Sequence, residues 1–157
     1  MTNVRWLDDD EQRAWRGYLR MHGRLGARLN RQLQVDSELS LADFDVLVQL
    51  TDVSDARVRV VELARALQWE QSRMSHQIAR MQRRGLVVRE ECPDDRRGAF
   101  VVLTPAGRRA IETAAPRHVE TVRRLFFDLL TDDQVRTLAT ISDQVLAALD
   151  EDEAAGP

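Results

Sequence analysis

The chain has 157 residues, of which 43% are hydrophobic and 31% charged, with a formal net charge of −3. That balance suits one folded domain around a single core, and it excludes a disordered chain. No apolar run approaches the roughly 18 residues that a membrane-spanning helix needs. The polar start MTNVRWLDDDEQR lacks the basic-then-apolar order of a secretion signal, so the cytoplasm is the expected location. The lone cysteine, Cys92, allows neither an internal disulfide nor a thiolate-rich metal site.

The charge is unevenly spread. Residues 57–109 carry 12 Arg against 6 Asp and Glu, whereas the remaining residues carry 11 Arg against 20 acids. There is no lysine. A basic middle between acidic ends suits a protein in which one module meets phosphate and another does not.

In chain order, Asp8 with Glu11 forms a capping-box pattern. Trp15, Tyr18, Leu19, Leu25, Leu29 and Leu33 follow at helical spacing, opposite an arginine-rich face, and predict a long amphipathic helix ending near Val35. Ser40 with Asp43 repeats the capping pattern ahead of a second helix through Leu41, Phe44, Leu47 and Val48. Arg57–Val60 reads as a short extended segment, Val61–Leu67 as a short helix, Gln68 and Trp69 as a turn, and Glu70–Arg84 as a further helix. Gly85 stands where a helix-ending glycine belongs. Leu86–Cys92 and Ala99–Leu103 are two extended runs around the polar PDDRRG, which predicts a β-hairpin. Thr104 and Pro105 read as an N-cap and first helical residue, opening a helix towards Leu130 that is bent at Pro116. Thr131-Asp132-Asp133 opens a last helix with Val135, Leu138, Ile141, Val145 and Leu149 as its apolar face. The tail DEDEAAGP is expected to fray.

The fold class this order predicts is mainly α with a small β-hairpin wing. Residues 38–104 form a winged helix-turn-helix lobe within a single domain spanning 1–157. Helices over 8–35 and 105–150 remain for dimerisation. A recognition helix needs an apolar side to dock and a polar side to enter the major groove. Met74, Ile78 and Met81 supply the first. Gln71, Ser72, Arg73, Ser75, His76, Gln77 and Arg80 supply the second, and none is acidic. Arg and Gln make bidentate contacts to guanine and adenine edges, while Ser and His bond to bases or phosphates. At the hairpin tip, Arg96 and Arg97 beside Asp94 and Asp95 suit a narrow minor groove, with a neighbouring carboxylate able to orient a guanidinium. The plain alternative for helix and hairpin alike is a solvated polar surface.

The stretch VELARALQWEQSRMSHQIARMQRRGLVVREECPDDRRGAFVVLTPAG closely resembles the DNA-binding core of MarR-family regulators. The basic pair before GLV, the D-x-R wing tip and the LTPAG lead into the next helix match in order and spacing. The resemblance implies that Arg97 is a minor-groove arginine oriented by Asp95. It places Ser72, Arg73, Ser75 and His76 towards the major groove, although many members carry arginine where this chain has His76. It further implies a cytoplasmic homodimer that interlocks through its termini and represses transcription from a pseudo-palindromic, double-stranded operator. Release by a small anionic aromatic ligand is also implied, with Trp15, Arg16 and His22 as candidate ligand contacts. The alternatives are a winged-helix protein-interaction module without DNA, and a thiol-based redox sensor acting through Cys92. An enzyme is not expected. His22, His76 and His118 are scattered, and neither a metal-ligand spacing nor a phosphate-binding glycine loop is present. No cofactor, metal or membrane partner is expected.

Overall fold

Capping boxes open three of the helices. Asp8 and Glu11 close one on α1 (Asp9–Ser37), Ser40 and Asp43 on α2 (Leu41–Thr51), and Thr131 and Gln134 on α6 (Asp132–Ala155). In each, the cap side chain accepts from the third helical N–H and that residue's side chain accepts from the cap's own N–H, so two orphan donors are satisfied at once. The computed structural model describes residues 4–92, 94 and 98–156. By contact density the chain divides into two units, 1–118 and 119–157.

The first unit runs α1, α2, β1 (Arg57–Arg59), α3 (Val60–Ala66), α4 (Gln71–Arg83), β2 (Val87–Glu91), β3 (Ala99–Leu103) and most of α5 (Pro105–Leu125). Its core is one cluster that draws Leu33 from α1, Leu47 and Leu50 from α2, Leu63 from α3 and Met74, Ile78 and Met81 from α4. Val87, Val101 and Leu103 close it from the sheet. The predicted apolar stripe of α4 is therefore its docking face. The sheet is antiparallel in the order β1-β3-β2, with Phe100 opposite Arg59 on one side and Glu90 on the other. The predicted hairpin thus gains a third strand from the short extended run at Arg57. Along β3, Ala99, Val101 and Leu103 are buried and Phe100 and Val102 half-buried, the alternation of a strand with one face on the core.

Two helix ends fix the geometry of the helix-turn-helix. After α3, Gln68 takes a left-handed backbone (φ 53°). Gln68 N donates to Arg65 O at 3.1 Å and Trp69 N to Ala64 O at 2.9 Å. After α4, Gly85 does the same (φ 75°), with Gly85 N to Gln82 O and Leu86 N to Met81 O, both 3.0 Å. Both are Schellman closures, in which a left-handed residue lets two N–H groups satisfy the last carbonyls.

The LTPAG segment locks the start of α5. Thr104 Oγ1 accepts from Gly107 N at 3.0 Å and lies 2.6 Å from Gly85 O. Thr104 N donates to Leu86 O at 3.2 Å. A Cβ on Gly107 would collide with Leu86 O and come within 2.8 Å of Leu103 Cδ1, so only glycine admits this approach.

Pro116 lies inside α5 without ending it. The helix stops at Leu125 rather than near Leu130, because a 3-10 turn at Phe127–Leu129 intervenes. In this second unit Phe126 and Phe127 meet edge to face at 5.2 Å, and Arg123 pairs with Asp128 at 3.6 Å. The acidic tail expected to fray stays helical as far as Ala155. Ile141, Val145, Leu146 and Leu149 form an exposed apolar row on α6. Among the described residues, no helix is long and apolar enough to cross a membrane.

Candidate nucleic-acid interface

The first turns of α4 present their polar residues outward. Gln71, Ser72, Arg73, Ser75 and His76 are all exposed, on the side opposite buried Met74 and Ile78. The sequence brings them together by helical period alone. The first turn itself contains no acid, although Glu70 stands at its N-cap, and no side chain caps its N–H groups.

Gln77 departs from the expectation. It is buried at 3% exposure rather than facing outward. Its Nε2 donates to Asp43 Oδ1 at 2.6 Å, and its Oε1 accepts from Arg80 Nη2. Asp43, 2% exposed, collects further donors: Ser40 N at 2.9 Å and Arg84 Nη1 at 2.6 Å, both on Oδ2. Arg84 also donates to Glu38 O at 2.6 Å. A buried carboxylate is costly unless its lone pairs are filled, and here donors from α2 and α4 fill them. One residue thus closes the cap of α2 and anchors the far half of α4. The network borders an open groove of about 640 Å³ between the end of α1, the start of α2 and α4. Arg80 remains exposed but is turned towards Gln77. Helical spacing placed Gln77 on the polar arc, and only the long-range partner Asp43 explains why it points in. Two polar residues separated by 34 positions carry no local signal.

The predicted wing contacts Asp95, Arg96 and Arg97 lie outside the described residues. At the root of the wing, the Arg57 and Arg59 guanidiniums stack on Phe100 at 3.6 and 4.7 Å from the ring centroid, and Arg57 pairs with Glu90 at 3.4 Å. Sequence reading missed this cationic pair. The alternation R-V-R in β1, which puts both arginines on one face, was its only signal.

The predicted ligand residues share α1. Trp15 and His22 both stack on Tyr18, at 5.9 and 6.0 Å between centroids, and Arg16 donates to Gln12 Oε1 at 3.3 Å. All three are exposed. Cys92 is half-buried at the end of β2, its N–H donating to Gly98 O at 2.8 Å. His118 packs on Phe44 at 4.4 Å, with Nδ1 3.3 Å from Gln32 Oε1, and burial holds its imidazole below the ordinary range. Among the described residues, no group of three or more His, Cys, Asp or Glu side chains could hold a metal.

A helix-turn-helix of α3 and α4, followed by the β2–β3 hairpin as a wing with β1 on its edge, is the arrangement of winged-helix DNA-binding proteins. The sequence model of the MarR family matches residues 37–98. AbsC, a MarR family transcriptional regulator from Streptomyces coelicolor, is 40% identical with a TM-score of 0.87, covering 94% of this chain and 99% of that one. Sco3205, a MarR family transcriptional regulator from the same organism solved in complex with DNA, is 38% identical with a TM-score of 0.89, covering 95% and 93%. BpsR of Bordetella bronchiseptica, whose DNA binding is regulated by 6-hydroxynicotinic acid, is 26% identical with a TM-score of 0.73, covering 85% and 98%. The chain belongs to the MarR family.

Proposed function

We propose that the protein is a repressor that binds a pseudo-palindromic operator as a homodimer, reading the major groove with Gln71, Ser72, Arg73, Ser75 and His76. The observation that carries this reading is the exposed, acid-free first half of α4 on a fold shared with a regulator solved on DNA. Arg80 joins the interface from the next turn, and Arg96 and Arg97, with Asp95, supply the wing contact. Gln77 is reassigned from base contact to anchor. Residues 38–104 act as the reading lobe.

Helices 8–35 and 105–150 supply dimer contacts. Trp15, Tyr18 and Leu19 on α1 and Ile141, Val145, Leu146 and Leu149 on α6 are each near half exposed, more apolar surface than a monomer leaves bare. Two identical reading heads then match two half-sites related by a two-fold axis. An anionic aromatic ligand against Trp15, Arg16 and His22 releases the operator by favouring a half-site spacing that does not fit DNA. The regulation of BpsR by an aromatic acid supports that class of effector. The relatives are regulators, which supports a non-catalytic role.

Selection from a random duplex library, followed by fluorescence anisotropy on the enriched site, tests the proposal. An inverted repeat should emerge, bound by two chains. Log K should fall with log salt by about 0.9 per neutralised phosphate. Failure to enrich any sequence, together with a flat salt dependence, sinks the DNA reading and leaves the protein-interaction alternative.

A further inference from the structure

We propose that Trp69 is a positioning residue which holds the Arg73 guanidinium in one orientation, making Arg73 the specificity-determining contact to a single guanine of each half-site. This rests on the DNA reading above and names the residue that sharpens it. The Arg73 guanidinium lies 4.1 Å from the centroid of the Trp69 ring. Trp69 is itself fixed. It is half-buried against the core, and its N–H closes the Schellman turn on Ala64 O. Its indole is therefore a rigid platform, four residues before Arg73 and just ahead of the recognition helix.

Asp45 is half-buried on the neighbouring α2, and burial pushes its carboxyl up from the ordinary range against the pull of the Arg73 charge.

The physical consequence is preorganisation. A free arginine loses much rotamer freedom when it grips a base, whereas one already held by a ring loses less. The guanidinium fork matches guanine O6 and N7 in one plane only, so a fixed plane discriminates more sharply than a mobile one. Stacking also leaves the guanidinium edge, with its donors, available for the base.

The test compares wild type with Trp69→Leu, Trp69→Phe and Arg73→Ala. Each is measured by anisotropy on the selected site, on the set of single base-pair changes to that site, and on an unrelated duplex. Arg73→Ala should lower affinity for the selected site about tenfold and abolish discrimination at one G·C pair. Trp69→Leu should lower it about fivefold, flattening preference at that same pair while leaving the unrelated duplex unchanged. Trp69→Phe should keep most of the preference, which separates an aromatic platform from mere packing volume. The inference is overturned if Trp69→Leu keeps the wild-type preference at every position. It is equally overturned if Trp69→Leu weakens selected and unrelated duplexes in the same proportion. If Arg73→Ala changes nothing while the wild type still selects a site, the error lies in assigning Arg73. If the wild type selects no site, the error lies in the DNA reading itself.

Discussion

The two halves of α4 carry the same kinds of residue and put them to opposite uses. In the first half, Gln71, Ser72, Arg73, Ser75 and His76 stand in solvent. In the second, Gln77, with Arg84 at the helix's C-cap, turns onto the buried carboxylate of Asp43, and Arg80 leans on Gln77. A polar residue on a recognition helix is therefore not evidence of a surface facing DNA. What separates reading from anchoring is whether another helix offers a partner inside the fold. The anchored half gives the exposed half a stable base, much as a supporting shell fixes the groups that touch a ligand.

The strongest way to break this contrast is Asp43→Ala. It strands Gln77 and Arg84 without their acceptor, and destabilisation of about 3 kcal/mol is expected in urea unfolding, because breaking a buried pair costs more than the pair contributes. A loss below about 0.5 kcal/mol, the range of ordinary surface changes, would show that this network does not anchor the helix. Gly107→Ala comes next. With Leu86 O in the way, the start of α5 has to shift, and a loss of about 2 kcal/mol is expected by the same assay.

Gln68→Gly works in the other direction. A non-glycine residue in the left-handed region is strained, so glycine there should raise stability by up to about 1 kcal/mol, offset in part by loss of the Gln68 Nε2 bond to Arg65 O. A drop in melting temperature would show that the side-chain bond outweighs the strain. The smallest expected effect is a pH dependence at His118. Burial lowers its pKa from 6.5, so the unfolded chain binds the proton more readily than the fold does. The stability tied to this group is then complete above about pH 6.5 and lost as the pH falls towards its folded value. The difference in unfolding midpoint between pH 7.5 and about 5.5 should shrink in His118→Gln. An unchanged difference would remove His118 from the acid response.

Much of this was legible beforehand, because capping, periodicity and turn chemistry are local. Asp8 with Glu11, and Ser40 with Asp43, announced helix starts that the structure places where the pattern did. Met74, Ile78 and Met81 named the docking face of α4. The extra strand, the inward turn of Gln77 and the Arg57–Phe100 stack depend on partners tens of residues away, and no period in the sequence encodes those. The stop at Leu125 was hidden for a different reason. An apolar run such as Leu125–Leu130 suits a helix and a 3-10 turn equally, and tertiary context chooses.

The knot at Thr104 and Gly107 has a mechanical consequence. It clamps the head of α5 to Gly85 and Leu86, the residues from which β2 departs. A tilt of that helix would pull on the base of the hairpin through these bonds, as a crank turns its shaft.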